Sequence, residues 1–174
     1  MTGREPSTDD RVLLRALVEA YAGLADGRRF GEFGALFGPT GRLYVYREAG
    51  QSEPSGVRTG ADEIAAVVER GLTVYEATSH MVGAHTVEMG ADADTATGST
   101  TCRAYHLSVT SGGRQLMVMT IRYDDRYVRS DGRWRFDERH VRLMWREQRV
   151  LDPVDSGDGA RTLQPESELG NVRS

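Results

Sequence analysis

Lysine is absent from this 174-residue chain, and all 22 of its basic residues are arginine. That excludes Schiff-base catalysis and a P-loop, both of which need the lysine amine. Cysteine is nearly absent as well. Cys102 stands alone, so there is no internal disulfide framework, and a reducing compartment is expected. No apolar run reaches the roughly 20 residues of a membrane span, and the first ten residues are polar and acidic rather than signal-like. The expected location is therefore cytoplasmic, with no membrane partner. The arginines are mixed with 26 acidic residues to give a net charge of −4. That leaves no basic stripe for nucleic acid.

What remains is an ordinary globular composition, 39% hydrophobic and 28% charged, in a chain long enough to bury one real core. Residues 1–7 are a polar lead-in that offers Ser7, Thr8 or Asp9 as a helix cap. Val12, Leu13, Ala16, Leu17, Ala20, Tyr21 and Leu24 then recur at helical spacing, and "ADG" at 25–27 ends that helix with Gly27 as its cap. A short second helix carries Phe30, Phe33, Leu36 and Phe37 and is stopped by "GPTG". "RLYVYRE" (42–48) reads as a strand and residues 60–72 as a third helix. Four long strands follow at 76–89, 95–110, 114–129 and 133–146, separated by the turn signals "GADAD", "SGG" and "SDG". Residues 151–174 are rich in Gly, Ser, Asp and Glu and read as a flexible tail. The domain is thus placed at 8–150. Helices followed by a meander predict an α+β fold, with N-terminal helices on a highly curved antiparallel sheet enclosing a small-molecule pocket.

The candidate chemistry begins with four histidines. In "TSHMVGAHTVEM" (78–89), strict alternation puts His80 on one strand face and His85 on the other. Asp26, at the end of the first helix, meets the negative end of the helix dipole, which is expected to raise its pKa. Asp-Gly after a helix is also a routine turn. Tyr21 lies on the helical stripe, Tyr44 and Tyr46 share one strand face, and His106 shares a face with the small residues Cys102 and Ala104. His85 and His140 have no evident partner. The chain lacks HExxH, paired cysteines and helical His pairs, so neither a metal nor another cofactor is expected. It also lacks a G-x-S-x-G nucleophile.

Four stretches in order, "YAGLADGRRF" (21–30), "LYVYRE" (43–48), "HMVGA" (80–84) and "DGRWRF" leading to Trp145, resemble the SnoaL-like branch of the NTF2-like superfamily. Within it they resemble the scytalone dehydratases. The resemblance spans about residues 12–147 and implies a cone-shaped fold. It also implies that Asp26 is hydrogen-bonded to His80 as a general base, an arrangement shared with bile-acid dehydratases and a dehydrochlorinase. It assigns Tyr21, Tyr46, His106 and Arg139 to polarise a carbonyl or protonate a leaving hydroxyl. Tyr44, Tyr123 and Trp145 are expected to line the substrate pocket. Ala25, Ala84, Ile121 and Tyr123 depart from relatives, so different substrate contacts are expected.

The activity this implies is a cofactor-independent dehydratase acting on a hydrophobic polyketide-, terpenoid- or steroid-like molecule. A cyclase or isomerase would use the same dyad. A non-catalytic ligand-binding or assembly module, or an oxygenase accessory subunit, is the reading from another class. A homodimer or homotrimer is expected.

Overall fold

The computed structural model describes residues 4–151; the tail expected at 151–174 lies outside them from residue 152 on. The first helix, α1 (Thr8–Asp26), starts where the sequence offers a cap: Ser7 Oγ accepts the Asp10 N–H at 3.1 Å. Its buried stripe runs through Leu14, Leu17, Val18, Tyr21 and Ala25. Val12 and Leu13, expected on that stripe, are exposed, because the core-facing side is rotated toward Leu14 and Val18. Gly27 follows the helix, but the left-handed residue is Arg28, at φ 57°.

Helix α2 (Phe30–Gly34) is only five residues long, and "GPTG" does not end it as expected. Those residues belong to β1 (Phe37–Tyr46), where a register shift between Phe37 and Arg42 absorbs them. A short strand that the sequence pattern did not reveal, β2 (Gly56–Thr59), pairs with β1 ahead of α3 (Ala61–Leu72). The meander then follows as β3 (Ala77–Met89), β4 (Thr95–Thr110), β5 (Gly113–Ser130) and β6 (Arg133–Val150).

The sheet order is β2-β1-β6-β5-β4-β3. All neighbours are antiparallel except β1 and β6, which run parallel, so the sheet is mixed rather than purely antiparallel. The reason is topological. After β2, helix α3 carries the chain to the far edge, and a four-strand meander brings β6 back beside β1 in the same direction. This is the expected α+β cone, with helices packed against a curved, unclosed sheet.

Residues of the helices and the inner sheet face form one core, including Leu14, Phe33, Ile64, Tyr127 and Phe136. Each such fully buried side chain contributes about 1.5–3 kcal/mol of hydrophobic stabilisation. Trp134 Nε1–H donates to Asp10 Oδ1 at 3.1 Å, tying the start of β6 to the start of α1.

A bulge in β3 positions the site. Pairing with β4 shifts between Val82 and His85. The freed carbonyls of Gly83 and Val82 accept hydrogen bonds from Arg15, at 2.7 and 3.4 Å. One extra residue reverses strand parity. His80 sits opposite Ala104 and His85 opposite Thr100, both buried on the inner face of β4. The expected opposition of the two histidines is therefore corrected: both face inward.

Candidate active site

Helix α1 ends where β3 passes over it, and that junction holds Asp26 against His80. His80 Nδ1 lies 2.6 Å from Asp26 Oδ1. The His80 backbone N–H donates to Asp26 Oδ2 at 2.7 Å, and Thr78 Oγ–H donates to Oδ1 at 2.8 Å. Three donors from one strand thus converge on one carboxylate. Thr78 and His80 can do this because they are two residues apart on the same strand face. The side chains are 9% (His80) and 25% (Asp26) exposed.

Partial burial pushes the Asp26 carboxyl up, but the hydrogen bonds from His80 and Thr78, with the His80 charge, outweigh it and hold it below the ordinary value. The sequence expectation of a raised pKa from the helix dipole is therefore reversed. An ionised Asp26 accepts from Nδ1, which places the imidazole proton there and leaves Nε2 with a free lone pair.

His80 lines an apolar cavity of about 240 Å³ between α3 and the inner sheet face. Tyr21, Tyr123 and His106 line it too, beside Val68, Leu72 and Met119. The His106 ring meets His80 edge-on at 5.5 Å and packs on Tyr75 at 4.7 Å. Burial, reinforced by His80 and Arg28, lowers its pKa to about 4, so it is a neutral imidazole at neutral pH. Its Nδ1 is buried without a partner among the described residues. Burial raises the Tyr21 phenol to about 12 and Tyr123 well above its ordinary value. Both remain protonated donors.

The other predicted residues are placed differently. Leu43 and Val45 face the cavity, so by strand alternation Tyr44 and Tyr46 point to the opposite sheet face. There Tyr44 stacks on His140 at 4.3 Å, and the Tyr46 hydroxyl lies 3.0 Å from His140 Nδ1. Trp145 is 58% exposed. A register shift pairs Leu143 with Ile121 and Trp145 with Thr120, so Trp145 takes the outer face.

Arg139 does face inward, but it is 0% exposed beneath the cavity floor. Its guanidinium forms a two-pronged ion pair with Asp125, at 2.8 and 2.7 Å. It is stacked against the Tyr21, Tyr123 and Phe136 rings, with Cζ 4.0–4.2 Å from their centroids. The two tyrosines that line the cavity thus seal Arg139 away from it.

The structure also adds residues that sequence reasoning missed. Asp125 anchors Arg139 and accepts from the Tyr127 hydroxyl at 2.9 Å, and His85 Nε2 lies 3.3 Å from that hydroxyl. The signal for Thr78 was its same-face spacing from His80. Asp125 carried none, because its partner is on another strand. Among the described residues no group of three His, Cys, Asp or Glu side chains is arranged to hold a metal ion, and no helix is long and apolar enough to cross a membrane.

A family model described as a SnoaL-like domain matches residues 6–140. No curated protein matches the chain in sequence. Among solved structures, the fold is similar to that of a candidate scytalone dehydratase from Novosphingobium aromaticivorans, at 19% identity and a TM-score of 0.67 over 87% of this chain and 95% of that one. It is also similar to the hexachlorocyclohexane dehydrochlorinase LinA-type3 from Novosphingobium barchaimii, at 17% identity and a TM-score of 0.69 over 84% and 96%.

Proposed function

The chain belongs to the SnoaL-like domain family, and from that premise we propose that it is a cofactor-independent lyase in which Asp26 and His80 form the acid–base dyad. The observation that carries this reading is the 2.6 Å contact between His80 Nδ1 and Asp26 Oδ1 at the wall of an apolar cavity. His80 Nε2 takes a proton from a carbon next to a carbonyl, and Asp26 stabilises the imidazolium that forms. The C–H electron pair becomes the new double bond as the β-hydroxyl leaves. That hydroxyl takes the proton back from the His80 imidazolium, which returns to neutral imidazole, and departs as water.

Tyr21 and Tyr123, protonated and cavity-lining, supply hydrogen bonds to the carbonyl oxygen as it gains charge. Such a donor lowers the barrier by about 2.7–4 kcal/mol. Arg139 and Tyr46 take no part in this chemistry, since neither reaches the cavity. The apolar lining favours a hydrophobic substrate of polyketide, terpenoid or steroid type. A cyclase or isomerase would begin with the same proton abstraction. A simple ligand carrier needs the apolar walls but gains nothing from three donors focused on one carboxylate.

The test is deuterium exchange. Bicyclic and steroid β-hydroxy ketones are incubated with the protein in D2O and followed by mass spectrometry. The wild type is expected to exchange the α-hydrogen and release water. His80→Ala is expected to do neither while keeping its circular dichroism spectrum. Equal turnover by His80→Ala would sink the dyad.

A further inference from the structure

We propose that Arg47 is the anion-recognition residue of this cavity and that the physiological substrate is a hydrophobic molecule bearing a carboxylate. The inference rests on the cavity being the substrate site, and it concerns a residue outside the dyad.

Leu43, Val45 and Arg47 recur with period two along β1 and its continuation, and all three line the cavity. Arg47 is the one Asp, Glu or Arg side chain among its described lining residues. The strand has ended there, and the Arg47 backbone N–H is held by Gln51 Oε1 at 3.0 Å and Ser55 Oγ at 3.4 Å. The loop after β1 therefore fixes the base of the side chain. Among the described residues its guanidinium has neither an ion-pair nor a hydrogen-bond partner. Arg15, Arg42, Arg129, Arg139 and Arg142, by contrast, each engage a carboxylate. Arg47 is exposed, so it sits at the rim with its charge in water.

A neutral ligand that covered this rim would strip water from a cation and return nothing for it. A carboxylate returns two parallel charge-assisted hydrogen bonds. The cavity is also polarised. His80 and His106 come from β3 and β4, while Arg47 comes from β1, on the other side of β5 and β6 in the sheet. The apolar residues Val67, Val68, Leu72, Met119, Ile121 and Val141 lie among these polar groups in the same lining. A substrate spanning the cavity thus presents its acidic C–H to the dyad and its anionic end to Arg47.

The experiment compares two probes of nearly equal shape, 2-naphthoate and neutral 2-naphthamide, by calorimetric titration of the wild type, Arg47→Gln, Arg47→Lys and His80→Ala. The wild type is expected to bind naphthoate about tenfold more tightly than naphthamide. Arg47→Gln is expected to abolish that preference without changing naphthamide affinity, Arg47→Lys to retain part of it, and His80→Ala to keep it. Equal affinities in the wild type, or no binding of either probe, overturns the proposal. So does a preference that survives Arg47→Gln or vanishes in His80→Ala, because the anion then sits at the dyad. Binding needs no turnover, so failure of the acid–base reading in the exchange assay and failure of this one are read separately.

Discussion

Replacing Asp26 with asparagine keeps the shape of the group that faces His80 and removes its charge. The introduced amide either presents its carbonyl to Nδ1 without stabilising an imidazolium, or presents its NH2 and forces the proton to Nε2. Either outcome disables the base, and turnover is expected to fall about a thousandfold or more. Steady-state kinetics check this. The same substitution tests the electrostatics. Asp26 has a folded pKa below its reference value of 3.8, so the stability it contributes is present above 3.8 and lost as pH falls through the lower folded value. Asp26→Asn should therefore show a shallower loss of stability below about pH 3.8 than the wild type, read from urea unfolding at a series of pH values.

At the scale of the element, the β3 bulge and its neighbour strand decide which side chains look inward. Gly98 on β4 lies where a Cβ would sit 2.8 Å from the Thr86 carbonyl oxygen and 2.9 Å from the Tyr127 ring. One of those obstacles is backbone, so Gly98→Ala must push β3 or Tyr127 aside. A loss of about 1–3 kcal/mol is expected, together with disturbance of the His85–Tyr127–Asp125 chain, measurable by chemical denaturation. At the other end of the fold, Ser7→Ala removes the α1 cap and should cost about 1 kcal/mol by the same measurement. These two elements also show how far the chain could be read in one dimension. The cap and the long strands were legible because their signals are local. The bulge was not, because nothing in "MVGAH" itself reveals that Arg15, 68 residues upstream of Gly83, supplies the missing hydrogen bonds.

For the whole molecule, the buried Arg139–Asp125 pair lies where α1, β5 and β6 meet, with the Tyr21, Tyr123 and Phe136 rings around the cation. Both side chains are inaccessible to solvent. Asp125→Asn leaves that cation without its counter-charge and should destabilise the protein by about 3–5 kcal/mol, seen as a lowered urea midpoint. His106 sets a second global property. Its folded pKa of about 4 lies below the reference 6.5. Above 6.5 both states are neutral and the group contributes no pH dependence. Between 6.5 and 4 the unfolded chain takes up a proton that the folded one refuses, so stability falls with acidification across that window. His106→Gln should reduce that fall by an amount on the order of 3 kcal/mol, provided the unfolding is followed between about pH 7 and pH 4.

The order of the helices and strands other than β2, and the α+β class, were accessible from residue pattern because periodicity, caps and turns act over a few residues. The pairing of Asp26 with His80 was accessible from family resemblance. Tertiary structure alone decided the direction of β1 against β6 and the facing of every side chain beyond an irregularity. A strand carries a two-residue alternation, and each register shift inverts it. That is why Trp145 turned outward and His85 inward, whereas Tyr44 and Tyr46 point outward by plain alternation with Leu43 and Val45. Tertiary packing likewise reversed the expectation for Asp26: the donors brought by β3 outweigh the upward push of burial.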